Sequence, residues 1–325
     1  MRMQILRLTK RRSLVIEPLA PFHFDGTFHK PSHFPDQLSH WIPGAYWQPM
    51  RLGAELFGVR VQDKGTRADP SLTISLYADR PMLDATVNSL KDEIIWRFEL
   101  RKDLHDFNAL ARQDKRFYPV FAKWLGMRNA SGQNLYELLI LAIVLQNARA
   151  SRTVQMLAAL LQRYGTRLRF DNRELFAMWL PATMERVAER DLRDLRIGYR
   201  AKFIKRLSAD FARGTMNEHA LRAMDKDDAQ RELLKLHGVG PETARILLFE
   251  ALHHDDTFGH IAPWQQKIYS RLFYNRPMVS AERIKSDIIR RYGKYAMLAV
   301  HYIWEDIFWR RRNQKIAWLE REIRL

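Results

Sequence analysis

The sequence predicts an α+β protein, with a small β-containing N-terminal domain over residues 1–110 and a mainly α-helical core over 111–325. Three observations predict it. Short alternating runs, Leu56–Val61 (LFGVRV) and Leu72–Tyr77 (LTISLY), flank a turn-like Asp63-Lys64-Gly65, as two half-buried strands do. Asn134–Asn147 (NLYELLILAIVLQN) is apolar nearly all round, which predicts a buried central helix. Periodic segments with short connections then fill the rest of the chain.

Taken in order, one or two helices near 82–110 close the β region. After the central helix, further helices are expected near 151–164, 173–189, 200–213, 217–225, 228–236, 241–252, 264–274, 280–291 and 294–311. No tandem repeat is visible.

A net charge of +17 spreads through patterned segments rather than a tail, which favours a folded surface attractive to phosphate polyanions. There is no cysteine, so disulfides, cysteine-ligated zinc and an iron–sulfur cluster are excluded. No cofactor is expected. The basic first residues lack the apolar run of a signal peptide. No segment approaches the ~20 apolar residues of a membrane span. The expectation is a cytoplasmic, nucleoid-associated protein with no membrane partner.

The most informative stretch is Leu233–Ala244 (LLKLHGVGPETA). Gly238 and Gly240 permit a tight turn after one helix. Pro241 suits the first position of the next helix. Thr243 and Ala244 are small enough for close helix packing. Such a turn aims backbone N–H groups outward at a helix N-terminus, which is a ready phosphate site. Taken piece by piece, the same residues are a C-cap glycine and a proline-started helix. Joined, in so basic a chain, they favour gripping double-stranded DNA, and His237, Gly238, Val239, Gly240, Glu242 and Thr243 are the candidate contacts.

Leu236–Leu252 (LHGVGPETARILLFEAL) followed by Phe258–Tyr274 (FGHIAPWQQKIYSRLFY) resembles the signature of the helix-hairpin-helix (HhH-GPD) DNA glycosylases. Arg116–Arg128, Glu137–Ala150, Leu195–Phe211 and Lys294–Glu305 are similar to further segments of that core. The N-terminal region, with Ala45–Arg51 and Ile94–Phe107, resembles the extra β domain of bacterial 3-methyladenine DNA glycosylase II and of 8-oxoguanine glycosylases. The resemblance implies a two-lobed core, an active site between the lobes, a flipped base and base-excision repair by a monomer.

The resemblance also exposes a departure. The family's catalytic aspartate stabilises positive charge on the sugar as the glycosidic bond breaks, or assists water. The matching position here is Ala262, whose methyl does neither. Either an aspartate has been replaced, to preserve a complex with substrate, or the chain natively binds DNA without cutting, as a damage sensor would. Asp255 and Asp256 read as solvated loop charges. Members that also nick the backbone carry a lysine where this chain has Glu242. The implied activity is therefore monofunctional, with water as nucleophile and an alkylated base as the expected target. A bulky hypermodified base, such as a phage pyrimidine, is the alternative.

Several residues remain open between function and packing. Gln146 and Asn147 either fill the gap left by the flipped base or simply end a helix. Arg200 and Lys202, after Gly198-Tyr199, are phosphate contacts or ordinary exposed charges. Trp264, His260 and Tyr136 are candidates for the base pocket. Trp124, Trp304 and Trp309 are weaker candidates, because core packing is the commoner fate of an aromatic. His253-His254-Asp255-Asp256 has a metal-like composition, but adjacent loop residues rarely converge on one ion, and no metal is expected. Arg310-Arg311-Arg312 is a solvated helix end or a supplementary DNA contact.

Overall fold

A computed structural model describes residues 5–323. The strands are β1 (Ile5–Arg7), β2 (Lys10–Ile16), β3 (His40–Ile42), β4 (Ala45–Leu52), β5 (Glu55–Asp63), β6 (Leu72–Ala78), β7 (Thr166–Phe170) and β8 (Arg173–Ala177). An antiparallel sheet runs in the order β2-β6-β5-β4-β3. The two strands expected from alternation are β5 and β6, paired antiparallel with Gly58 opposite Tyr77. Phe57, Val59 and Val61 on β5 and Leu72, Ile74 and Leu76 on β6 share one buried cluster with Leu90 and Ile94 of the helix Asp84–Arg97.

The expected helix over 173–189 is a correction. Residues 173–177 are β8, and only the short helices Pro181–Glu185 and Glu189–Asp194 follow. The reason is local. Asp171 and Asn172 both adopt positive φ, 47° and 57°, which is the two-residue turn that matches strand twist. The flanking TRLRF and RELFA alternate, burying Leu168 and Phe170 on one strand and Leu175 and Ala177 on the other. The hairpin adds to β1, which pairs parallel with β7. A strand from the first residues therefore completes a sheet with a hairpin from the helical half.

The hairpin also seals the outer face of the larger sheet. Asp171 accepts hydrogen bonds from the Trp47 indole (2.6 Å) and the Tyr77 hydroxyl (3.0 Å). Phe170 lies so close to β5 that a Cβ on Gly58 would stand 2.4 Å from its ring. Only a glycine fits there.

The helical core divides into two apolar clusters. One is built from the helices Leu135–Leu145, Ala150–Tyr164, Arg200–Ala212 and Pro241–Glu250. The other gathers Leu104–Met127 with the helices Pro263–Tyr274, Ala281–Tyr292 and Ala296–Asn313. The chain thus begins one lobe, builds the other, and returns to finish the first. Leu135–Leu145 is the buried central helix, opened by a capping box between Asn134 and Glu137. No described helix is long and apolar enough to cross a membrane.

Gly58→Ala is expected to destabilise the protein by about 1–3 kcal/mol, the usual cost of overpacking. Urea unfolding measures it, and an unchanged midpoint would mean that the Phe170 ring yields freely.

Candidate functional site

The hairpin joins the helix Lys226–Leu234 to the helix Pro241–Glu250. Its two glycines serve different ends. Gly238 has φ +89°, and a Cβ there would meet the Phe203 ring at 2.6 Å, so the fold itself demands glycine. Gly240 has an ordinary φ of −94°, and nothing lies within 4 Å of where its Cβ would be. Packing does not impose Gly240, which is the N-cap of the second helix, a position where glycine is favoured, and its backbone is left uncovered.

The N–H groups of Gly238, Gly240, Glu242 and Thr243 meet no acceptor among the described residues. They lie in the turn and first residues of a helix, where the macrodipole favours an anion. Val239 departs from expectation: its N–H donates to the Leu236 carbonyl and its side chain is buried. His237 lies beside the Arg206 guanidinium (3.2 Å) and edge-on to Phe203. Burial, and then Arg206 and Lys202, hold its imidazole below the usual pKa. Glu242 forms a two-point ion pair with Arg245 (2.6 and 3.0 Å).

A cavity of about 410 Å³ opens between the lobes beside this hairpin. Thr243, Ile246 and Phe249 of the hairpin's second helix face it. Leu138, Leu141, Ala142 and Leu145 line it from the central helix at helical spacing. Trp264, Tyr269 and Trp304 form an aromatic wall, with Trp304 edge-on to both others at 5.6 and 5.5 Å.

Of the three base-pocket candidates, only Trp264 lines this cavity. Tyr136 faces the other way on the central helix. Its hydroxyl bonds Ser208 (2.7 Å) and accepts from the Trp179 indole (2.9 Å) within the lobe core. His260 is exposed on a neighbouring depression with Lys226 and Pro241. Among the weaker candidates, Trp304 lines the cavity. Trp124 instead donates to Asp306, and Trp309 packs on His29 and Trp41.

Ala262 is the N-cap of the helix Pro263–Tyr274, whose Trp264 and Gln265 line the cavity. The Gln265 side chain accepts the Ala262 N–H at 3.1 Å. The reciprocal bond of a capping box is missing, because alanine has no side-chain acceptor.

At the far end of the central helix, Gln146 donates to the Gly238 carbonyl (2.7 Å), which ties this helix to the hairpin. Arg200 is buried, and its guanidinium donates to the Gln146 carbonyl. It is a structural clamp, not a free phosphate ligand. Lys202 is exposed. Asn147 is exposed at φ 49°, and its side chain donates to the Tyr199 hydroxyl (3.2 Å). Gln146 is therefore committed to the fold, and Asn147 is the residue that projects.

Other readings change as well. Asp255 is not solvated: it is largely buried, paired with Lys102 at 2.8 Å, and burial holds its carboxyl above the ordinary range. Asp256 pairs with Lys226, and His253 stacks on Trp96. No metal-binding cluster exists among the described residues. Arg310 and Arg311 pair with Asp306 and Glu320, and Arg312 lies over Trp41 and Trp309.

The sequence reading missed Glu305 and His301, which line the cavity one helical turn apart. Their signal was two polar residues at i, i+4 in the largely apolar run HYIWEDIFW.

No family model matches the chain. A probable N-glycosylase/DNA lyase of Methanothermobacter thermautotrophicus is 26% identical over 241 residues, 67% of this chain and 74% of that protein. The 3-methyladenine DNA-glycosylase from Archaeoglobus fulgidus superposes with a TM-score of 0.75 at 16% identity, over 94% of this chain and all of that one. The chain has the helix-hairpin-helix glycosylase fold. The Clostridium acetobutylicum 8-oxoguanine glycosylase/lyase agrees, with a TM-score of 0.66 and 18% identity over 94% and 99% of the two chains. The resemblance read from the hairpin is thus borne out by sequence relatives and structural neighbours that are DNA glycosylases.

An aspartate at position 262 would supply the missing N-cap acceptor. Ala262→Asp is expected to stabilise the protein by about 0.5–2 kcal/mol at neutral pH, measured by chemical denaturation. No gain would mean that Pro263 and Gln265 already fix the helix start.

Proposed function

We propose that this chain is a monofunctional DNA glycosylase of base-excision repair with its hydrolytic acid absent. The observation that carries the reading is the hairpin's free N–H groups beside an aromatic-walled cavity between two lobes. The duplex is held by phosphate contacts at Gly238, Gly240, Glu242 and Thr243, supplemented by His237 and Lys202. Such contacts position without reading sequence. One base is extruded into the cavity, and Asn147 enters the gap it leaves. Unpaired or damaged bases cost least to extrude, which itself selects them.

Cleavage of the glycosidic bond builds positive charge on the sugar. An aspartate at the N-cap position 262 would stabilise that charge and orient water. Glu242, committed to Arg245, offers no amine for a Schiff base, so no lyase step follows. The favoured substrate is an alkylated base, because an electron-poor ring gains most from stacking against Trp264 and Trp304. The similarity to an archaeal 3-methyladenine glycosylase supports the same reading. A second reading, a natural non-cutting DNA-binding protein, is favoured by Ala262 itself.

Base release from a panel of modified duplexes tests both. Release by the Ala262→Asp protein alone establishes a glycosylase lacking its acid and names the base. Release by neither, with both binding DNA, supports the non-cutting reading.

The grip has its own test. Gly240→Ala should weaken duplex binding about tenfold or more, the loss of roughly one charge-assisted hydrogen bond, and barely alter the melting temperature. Lys202→Ala should lower the slope of log affinity against log salt by about 0.9. Unchanged affinity and slope would move the DNA elsewhere.

A further inference from the structure

The floor of the interlobe cavity carries polar atoms that the fold leaves without partners. Glu305 is 1% exposed. Its Oε1 accepts a hydrogen bond from the Ser32 hydroxyl, whereas its Oε2 is buried and unpartnered. His301, one turn earlier on the same helix, is 7% exposed, with Nε2 also unpartnered. Both residues line the cavity beside Trp304.

No cationic side chain stands within ion-pair distance of Glu305 among the described residues. Lys30, buried nearby, gives its ammonium hydrogen bonds to the backbone carbonyls of Gly26 and Arg128 instead. A buried carboxylate oxygen with no donor keeps its desolvation cost unrelieved. The neighbouring buried acid Asp306, by contrast, is met by Trp124, Lys123 and Arg310. Burial holds the His301 imidazole well below its usual pKa, so the ring is neutral and offers one donor and one acceptor.

Resting on the base-extrusion reading above, we propose that Glu305, with His301, is the specificity-determining pair of the cavity, and that Glu305 Oε2 accepts from an N–H donor on the edge of the extruded base. The substrate class is then a base presenting an amino group or ring N–H toward the last core helix. A base with only acceptors on that edge sets lone pair against lone pair and leaves the carboxylate unsatisfied. Sites built this way reject the analogue lacking the donor far more strongly than apolar pockets discriminate by size. Ser32 holds the other carboxylate oxygen, so the loop after the helix Phe24–Phe28 is a positioning element of the same device.

The test is equilibrium binding of the full chain, as it stands with Ala262, to mispaired duplexes carrying adenine or purine, and cytosine or 2-pyrimidinone. Each pair differs by one amino group. A duplex with an abasic-site analogue serves as reference. With Glu305 present, at least one donor-bearing base should bind about tenfold or more tightly than its partner. Glu305→Gln should narrow that preference and Glu305→Leu abolish it, with abasic-site affinity held within about twofold for both variants. Absence of any preference in the starting protein overturns the assignment. So does a preference that survives Glu305→Leu, or a loss matched by an equal loss at the abasic site, which would mark a structural role. Failure to prefer the abasic duplex over an intact one fells instead the base-extrusion reading on which this rests.

Discussion

A short chain of hydrogen bonds couples the hairpin to the cavity. Arg200 donates to the Gln146 carbonyl, and the Gln146 side chain donates to the Gly238 carbonyl. The first bond satisfies a carbonyl orphaned at the end of the central helix. The second pins that helix end to the turn of the hairpin. One face of the same central helix lines the cavity, and the helix leaving the hairpin forms its opposite edge. The spacing between the hairpin turn and the cavity is therefore set by two bonds within the fold. Because Arg200 is buried, the clamp is not screened as a surface pair would be.

The N-terminal domain does more than flank this core. Its larger sheet is sealed on one side by the helix Asp84–Arg97 and on the other by the hairpin of β7 and β8, borrowed from the helical half. The buried Lys102–Asp255 pair ties its end to the loop that precedes the Ala262 helix. Removing one member of such a pair strands a buried charge, so its value lies in geometry more than in net stability. Through Ser32 the domain also reaches the cavity floor.

The two glycines of the hairpin show how one motif serves both stability and function. Gly238 is imposed by a positive φ and by the Phe203 ring. Gly240 is imposed by neither. As the N-cap of the second helix, it leaves the backbone of the turn uncovered by any side chain.

Most helices of the core, the β5–β6 pairing and the hairpin turn were legible in the sequence, because each depends on residues close in the chain. Periodicity exposes a buried helix, and Gly-x-Gly-Pro spells its own turn. The β7–β8 hairpin was equally local, yet its five-residue alternation was short enough to pass for helix beside Pro181. What the sequence could not decide was direction and partnership across the fold. Tyr136 and Leu138 stand two positions apart on one helix, and only the packing of Ser208 and Trp179 turns the first inward and the second to the cavity. Arg200 looks like a phosphate ligand until the end of the central helix claims it. Glu305 looks like any helical acid until Ser32, 273 residues away in sequence, takes one oxygen and leaves the other. Composition and local pattern determined the elements and the hairpin turn. Long-range contacts decided which polar groups were consumed by the fold and which were left unpartnered, because satisfying a buried group is a property of its neighbours in space.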